Sequence, residues 1–161
     1  MSKMNQSRIL LALGLTMIGF LTDAAIAGRR SPKENAPFLL EEKYKREPDP
    51  KQRVLIAIKL SDLRFKELRT VYMKGAASLQ QETSASFLLA TELIAKAVND
   101  ATDSGYSKKC EQHLRRQMRS LEDLKMDVSY QVRPALDAIT KQVAGFHEKI
   151  LYSLMNPVEH S

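Results

Sequence analysis

Tryptophan is absent from this chain, cysteine occurs once, and glycine and proline occur six times each in 161 residues. A single cysteine excludes an intramolecular disulfide. The domain must then be held by packing, and Cys110 is either a free thiol or a bridge to a second chain, which would make a homodimer. So little glycine and proline, with aromatics at 6%, leaves few turn signals and points to helices. Catalytic signatures are lacking as well: the sequence holds no G-x-S-x-G elbow, no H-E-x-x-H pair and no phosphate loop, so no enzyme is expected. His147-Glu148 is half of a zinc-protease motif with no second histidine at the needed spacing. Covalent haem is excluded by the lack of C-x-x-C-H, and di-iron chemistry by the lack of Glu-x-x-His on two helices. Haem held by His147 and one of the seven methionines stays open on residue types alone, although methionine in a helical core is usually filler. No cofactor is expected.

What is present begins with a processing signal. Lys3 and Arg8 precede an apolar run of 13 residues, ILLALGLTMIGFL, and Ala25-Ile26-Ala27 supplies the small-x-small pattern of a signal-peptidase site. Thirteen helical residues rise about 20 Å, short of a hydrocarbon core of roughly 30 Å. No cysteine follows the run, so a lipoprotein is not indicated. Residues 1–27 therefore read as a signal peptide, with export to the periplasm or the extracellular space after cleavage behind Ala27. The remaining 134 residues carry 23 basic and 18 acidic side chains, enough length for one domain with its own core.

Residues 28–48 combine mixed charge, three prolines and one apolar patch, Phe38-Leu39-Leu40, and read as a flexible charged linker. A helical domain is expected over 49–155 and a disordered tail over 156–161. Asp49 can cap the first helix, Pro50 suits its first position, and Gln52 stands where a capping-box partner would. Its stripe is Val54, Ile58, Phe65, Leu68 and Tyr72, widened by Leu60 and Leu63, and Gly75 ends it. A second helix over about 79–103 carries Phe87, Ala90, Ile94, Val98 and Ala101, stopped by Ser104-Gly105. Ser107 is a fair cap for the third, whose seam is Cys110, Leu114, Leu121, Leu124 and Val128. The pattern then continues through Val132, Leu136, Ile139, Val143, Phe146, Ile150 and Leu154, interrupted by Pro134. Two readings stand there: one long kinked helix, giving three in all, or a break at 129–133 with Pro134 in the first turn of a fourth. An interior proline costs about 3 kcal/mol, which favours an all-α antiparallel bundle of four helices. The expected core includes Ile58, Phe65, Leu68, Ile94, Val98, Leu114, Leu121, Ile139, Val143, Phe146 and Ile150.

Two motifs carry a resemblance. Asp49-Pro50-x-x-Arg53 followed by Leu60, Leu63, Arg64 and Glu67-Leu68 is similar to the opening helix of a group of exported bacterial helical proteins of unknown function. Arg133-Pro134-Ala135-Leu136-Asp137-Ala138, with His147-Glu148 and Leu151, resembles their closing helix. The likeness spans residues 49–154 and implies export, an all-helical fold and a bacterial source. It implies no activity and no catalytic residues. The segment before Arg133 departs from the group, lacking its acidic, proline-led turn.

The densest chemistry lies in KKCEQHLRRQMR, residues 108–119. Lys108, Gln112, Arg115 and Arg119 recur at helical spacing as one polar stripe, with Lys109 and Arg116 beside it and Glu111 the local acid. That makes Lys108, Lys109, Arg115, Arg116 and Arg119 an anion-attracting face, suited to an anionic envelope surface or an acidic protein partner. Export disfavours nucleic acid. Cys110 and His113, three apart, and the distant His147 are the metal-ligand types available. Cys110 falls on the apolar seam, however, where a thiol behaves as a small hydrophobe. The chain thus reads as a cell-envelope structural or protein-interaction module, with a periplasmic ligand-binding or sensing module (a chaperone-like cationic bundle or a metal sensor) as the alternative.

Overall fold

The computed structural model describes residues 36–101 and 103–155. The expected signal peptide, residues 28–35 and the expected tail at 156–161 lie outside them. Among the described residues there is no strand: the chain forms α1 (Ala36–Arg46), α2 (Pro50–Lys74), α3 (Ala77–Ala101), α4 (Ser104–Asp127), a 3₁₀ turn (Tyr130–Val132) and α5 (Arg133–Met155). The fold is an all-α helical bundle, and among the described residues it has five α-helices where four were expected.

The additional one is α1, which occupies the stretch read as linker. Pro37 suits the first turn, Glu42 pairs with Lys45 and Arg46 one turn on, and three basic residues in the last turn complement the helix dipole. Leu40 and Tyr44, four apart, turn inward, and the Tyr44 hydroxyl donates to the Leu93 carbonyl of α3. Glu41 binds Arg64 of α2 at 2.6 Å. Too few apolar residues are present to mark this helix by periodicity; the neighbours it packs on complete it. Phe38 and Leu39 stay exposed.

The ends of α2 follow the local code. Asp49 is extended and its side chain accepts from the Lys51 N–H at 2.9 Å; the Asp49 N–H itself donates to Glu47 Oε1. Gly75 adopts φ +66°, a left-handed conformation that costs other residues, and its N–H closes on Tyr72. Ser104-Gly105 does not close α3. Asp103 instead caps α4 by accepting from the Gly105 N–H, and Ser107 is buried inside α4 rather than capping it. Between α4 and α5 the chain breaks. Val128 is extended and buried, Ser129 is extended, and Pro134 is the second residue of α5. Arg133, just before the proline, is helical at φ −58° and ψ −40°, so the break precedes the proline by several residues.

Ion pairs set the directions. Lys51–Asp103 joins the start of α2 to the start of α4, and Arg69–Asp127 joins their ends, so these two run the same way. Lys125–Asp137 and Glu111–His147 join opposite ends of α4 and α5, which run against each other. The α2–α3 turn and the α4–α5 junction consequently share one end. Between the helices lie Phe87, Leu68, Ile94, Leu114, Leu121, Leu124, Leu136, Val143 and Ile150, all buried. Ile58, Phe65 and Phe146 were expected in the core and are only partly buried, packing against its edge. Phe65 meets Phe87 ring to ring at 5.7 Å.

Candidate functional site

The seam of α4 runs Cys110, Leu114, Gln117, Leu121, Leu124, Val128, alternating steps of four and three. That spacing keeps one line of side chains against neighbouring helices. It carries Gln117 into the interior, where its Nε2 donates to Ser61 Oγ of α2 at 2.7 Å. Thr91 Oγ1 of α3 lies 3.3 Å from Ser61 Oγ and is 2.9 Å from the Phe87 carbonyl. Thr91 donates to that carbonyl, which leaves Ser61 to donate to Thr91 while accepting from Gln117. Three helices are thereby tied by one buried relay. The Gln117 Oε1 has no hydrogen-bond partner. Ser61, Thr91 and Gln117 were not singled out in the sequence; the signal available was the missing apolar residue between Leu114 and Leu121.

One turn before Gln117, His113 is buried at 3% exposure and its Nε2 also lacks a hydrogen-bond partner, Asp62 Oδ1 being 3.9 Å away. Burial holds the imidazole below its usual range; Asp62 opposes that and Arg116 adds to it. His113 is therefore a neutral interior histidine near pH 7.

On the other flank of α4, Glu111 turns inward and offsets only one of the surface cations, Arg115. His147 Nε2 donates to its Oε1 at 2.9 Å, and Arg115 approaches the same oxygen at 2.5 Å. The hydrogen bond from His147, then that from Arg115, holds the carboxyl below its usual range against the opposing effect of burial. An acceptor-only carboxylate requires the proton on His147 Nε2. This pair pins α4 to α5.

Cys110 is fully buried, and burial pushes its thiol up to about 12. It is a packing residue with no route to a second chain in the folded state. The metal-ligand types are thus spread over three surroundings: Cys110 in the apolar seam, His113 beside Asp62, His147 on Glu111. Among the described residues no group of three or more His, Cys, Asp and Glu is placed to hold a metal ion.

The outer side of α4 keeps the stripe read from the sequence. Lys108, Lys109, Gln112, Arg115, Arg116 and Arg119 are all exposed. Arg115 leans to Glu111, while the second half of the helix is acidic, with Glu122 bound to Lys125 and Asp127 to Arg69. Charge on α4 is therefore segregated, positive first. Elsewhere, an open cleft of about 690 Å³ is lined by Asn99, Gly145, Glu148, Lys149, Tyr152 and Ser153. A Cβ on Gly145 would meet nothing within 4 Å, so the cleft is no fitted cradle. Among the described residues no helix is long and apolar enough to cross a membrane.

No family model, curated protein or solved structure matches the chain. The functional reading accordingly rests on the residues themselves.

Proposed function

We propose that this is an exported bacterial protein, processed behind Ala27, that serves in the cell envelope as a protein-interaction module built on an antiparallel four-helix bundle, α2–α5, with α1 added on its α2/α3 side. The short apolar run and the Ala25-Ile26-Ala27 site support export, and the resemblance of the opening and closing helices supports the source.

The observation that carries the interaction role is the end of the bundle where both hairpin connections lie. Met73 and Leu79 flank the α2–α3 turn, and Met126 and Tyr130 flank the α4–α5 junction. All four are exposed, Met126 at 70% and Tyr130 at 81%. Single exposed apolar residues are ordinary, but four large ones at one end form a surface that a partner would cover. Methionine and tyrosine suit such a surface, the first adaptable, the second apolar with a polar tip.

A photo-crosslinking residue at Tyr130, introduced in the producing cells, should give a discrete protein adduct in the envelope fraction. The same residue at exposed Gln142 should not. Intact mass of the recovered protein should start at Gly28. Equal adducts at the two positions would discard the interaction surface, and an intact Met1 would discard processing.

The sensing alternative has its own support in the polar groups that α4 turns inward, Glu111, His113 and Gln117, the first of them bound by His147 of α5. It predicts a small-molecule or metal-dependent rise in melting temperature that is lost in His113→Ala.

A further inference from the structure

We infer that the cationic half of α4, together with the end of α5, is a docking surface for the anionic phospholipid headgroups of a bilayer. Lys108, Lys109, Arg115, Arg116 and Arg119 are exposed within twelve residues of one helix; Glu111, the acid among them, is buried, bound to His147 and paired with Arg115 alone of the five. The stripe cannot roll away from solvent, because Cys110, Leu114 and Leu121 anchor the opposite side in the core. From Lys108 to Arg119 it extends about 16 Å along the helix axis.

The Glu111–His147 contact sets the register of α4 on α5, which run in opposite directions. One turn towards the start of α4 from that contact are Lys108 and Lys109. About a turn and a half towards the end of α5 is Tyr152, and Met155 follows. Both are exposed, Tyr152 at 72% and Met155 at 79%. Exposed cations at the end of the bundle where Tyr152 and Met155 are also exposed match the headgroup and acyl-boundary zones of a bilayer surface. Glu148, level with Gln112, and Asp62 of α2, beside His113, are exposed acids at its two flanks, set against five exposed cations of which Arg115 pairs with Glu111. This surface is separate from the apolar end that carries the interaction role.

The test is flotation of the purified chain with vesicles of neutral phosphatidylcholine and of phosphatidylcholine mixed with anionic phosphatidylglycerol. Binding should appear only on the anionic vesicles. Each basic residue near such a surface contributes roughly fivefold to partitioning, so Lys108→Gln with Arg119→Gln should reduce it roughly 30-fold. Added salt should mimic the loss, and Tyr152→Ser with Met155→Ser should weaken binding without abolishing it. All four positions are exposed, so the helical spectrum and urea midpoint should not move. Binding through a retained apolar leader would ignore both salt and the charge pair. Equal binding to neutral vesicles, or insensitivity to Lys108→Gln with Arg119→Gln, overturns the proposal. So does charge-dependent retention on an acidic peptide without flotation, which would assign the face to a protein.

Discussion

Two polar atoms of α4 decide how the interior responds to pH and to substitution. His113 is buried with its Nε2 unpartnered, and its protonation is disfavoured in the folded state. The unfolded chain binds that proton with an ordinary pKa near 6.5. Folding stability is therefore fully present above that pH. It falls as pH drops below about 6.5, where the unfolded chain takes up a proton that the folded chain refuses, until the lower folded-state pKa is reached. Urea titrations between pH 8 and 5 should show this decline, at no more than about 1.4 kcal/mol per pH unit, and His113→Gln should flatten it. Glu111 acts in a separate, more acidic window. Its folded-state pKa is depressed, so its contribution is present above the ordinary carboxylate range and lost as pH falls through the lower value. Gln117 behaves differently again. Its amide oxygen is buried without a partner, at a cost of roughly 1–3 kcal/mol, while its bond to Ser61 returns about 0.5–1.5 kcal/mol. Gln117→Leu keeps nearly the same volume and leaves Ser61 with Thr91. It should raise stability by about 0.5–1 kcal/mol, read as a higher urea midpoint at unchanged slope. What the glutamine provides in exchange is register: a polar seam position is satisfied in only one alignment of the three helices.

Among the elements, α1 and α5 differ most from their sequence appearance. Residues 36–46 look like a charged linker, because an 11-residue helix needs only one inward pair to dock, and Leu40 with Tyr44 is that pair. Alone, so short a helix would not persist in water. Tyr44→Ala should therefore release α1 while α2–α5 stay folded. Hydrogen exchange would show it: amides of α1 should exchange much faster, and those around Leu114 and Ile94 should keep their protection. Uniform loss of protection would mean that α1 is integral to the core. Periodicity through Pro134 continues unbroken in α5, which is why a single kinked helix could be drawn from the pattern. The extended Val128 and Ser129 cannot be seen that way, since Val128 is buried in either case and contributes the same apolar mark.

For the molecule as a whole, the sequence alone determined the class of fold and most of its lining. Local rules suffice for that: Asp49 and Gly75 bound α2 through the chain's own backbone geometry, and the seam of α4 is legible because apolar residues recur at helical spacing whatever they pack against. The exposed cations were legible for the same reason, being opposite the seam. The proposed leader, too, is a reading of composition alone. The tertiary structure decided everything that depends on which neighbour covers the flanks. Glu111 and His113 sit beside the seam, at positions that face solvent on an isolated helix. They are interior because α5 brings His147 to one side and α2 brings Asp62 and Ser61 to the other. Phe146 and Phe65 fit the stripes yet stop at the edge of the core. The α2–α3 and α4–α5 connections lie at one end, so Met73, Leu79, Met126 and Tyr130, from distant parts of the chain, are exposed at that same end. Periodicity reports the angle of a side chain about its own helix axis, and it carries no information about the distance to the next helix.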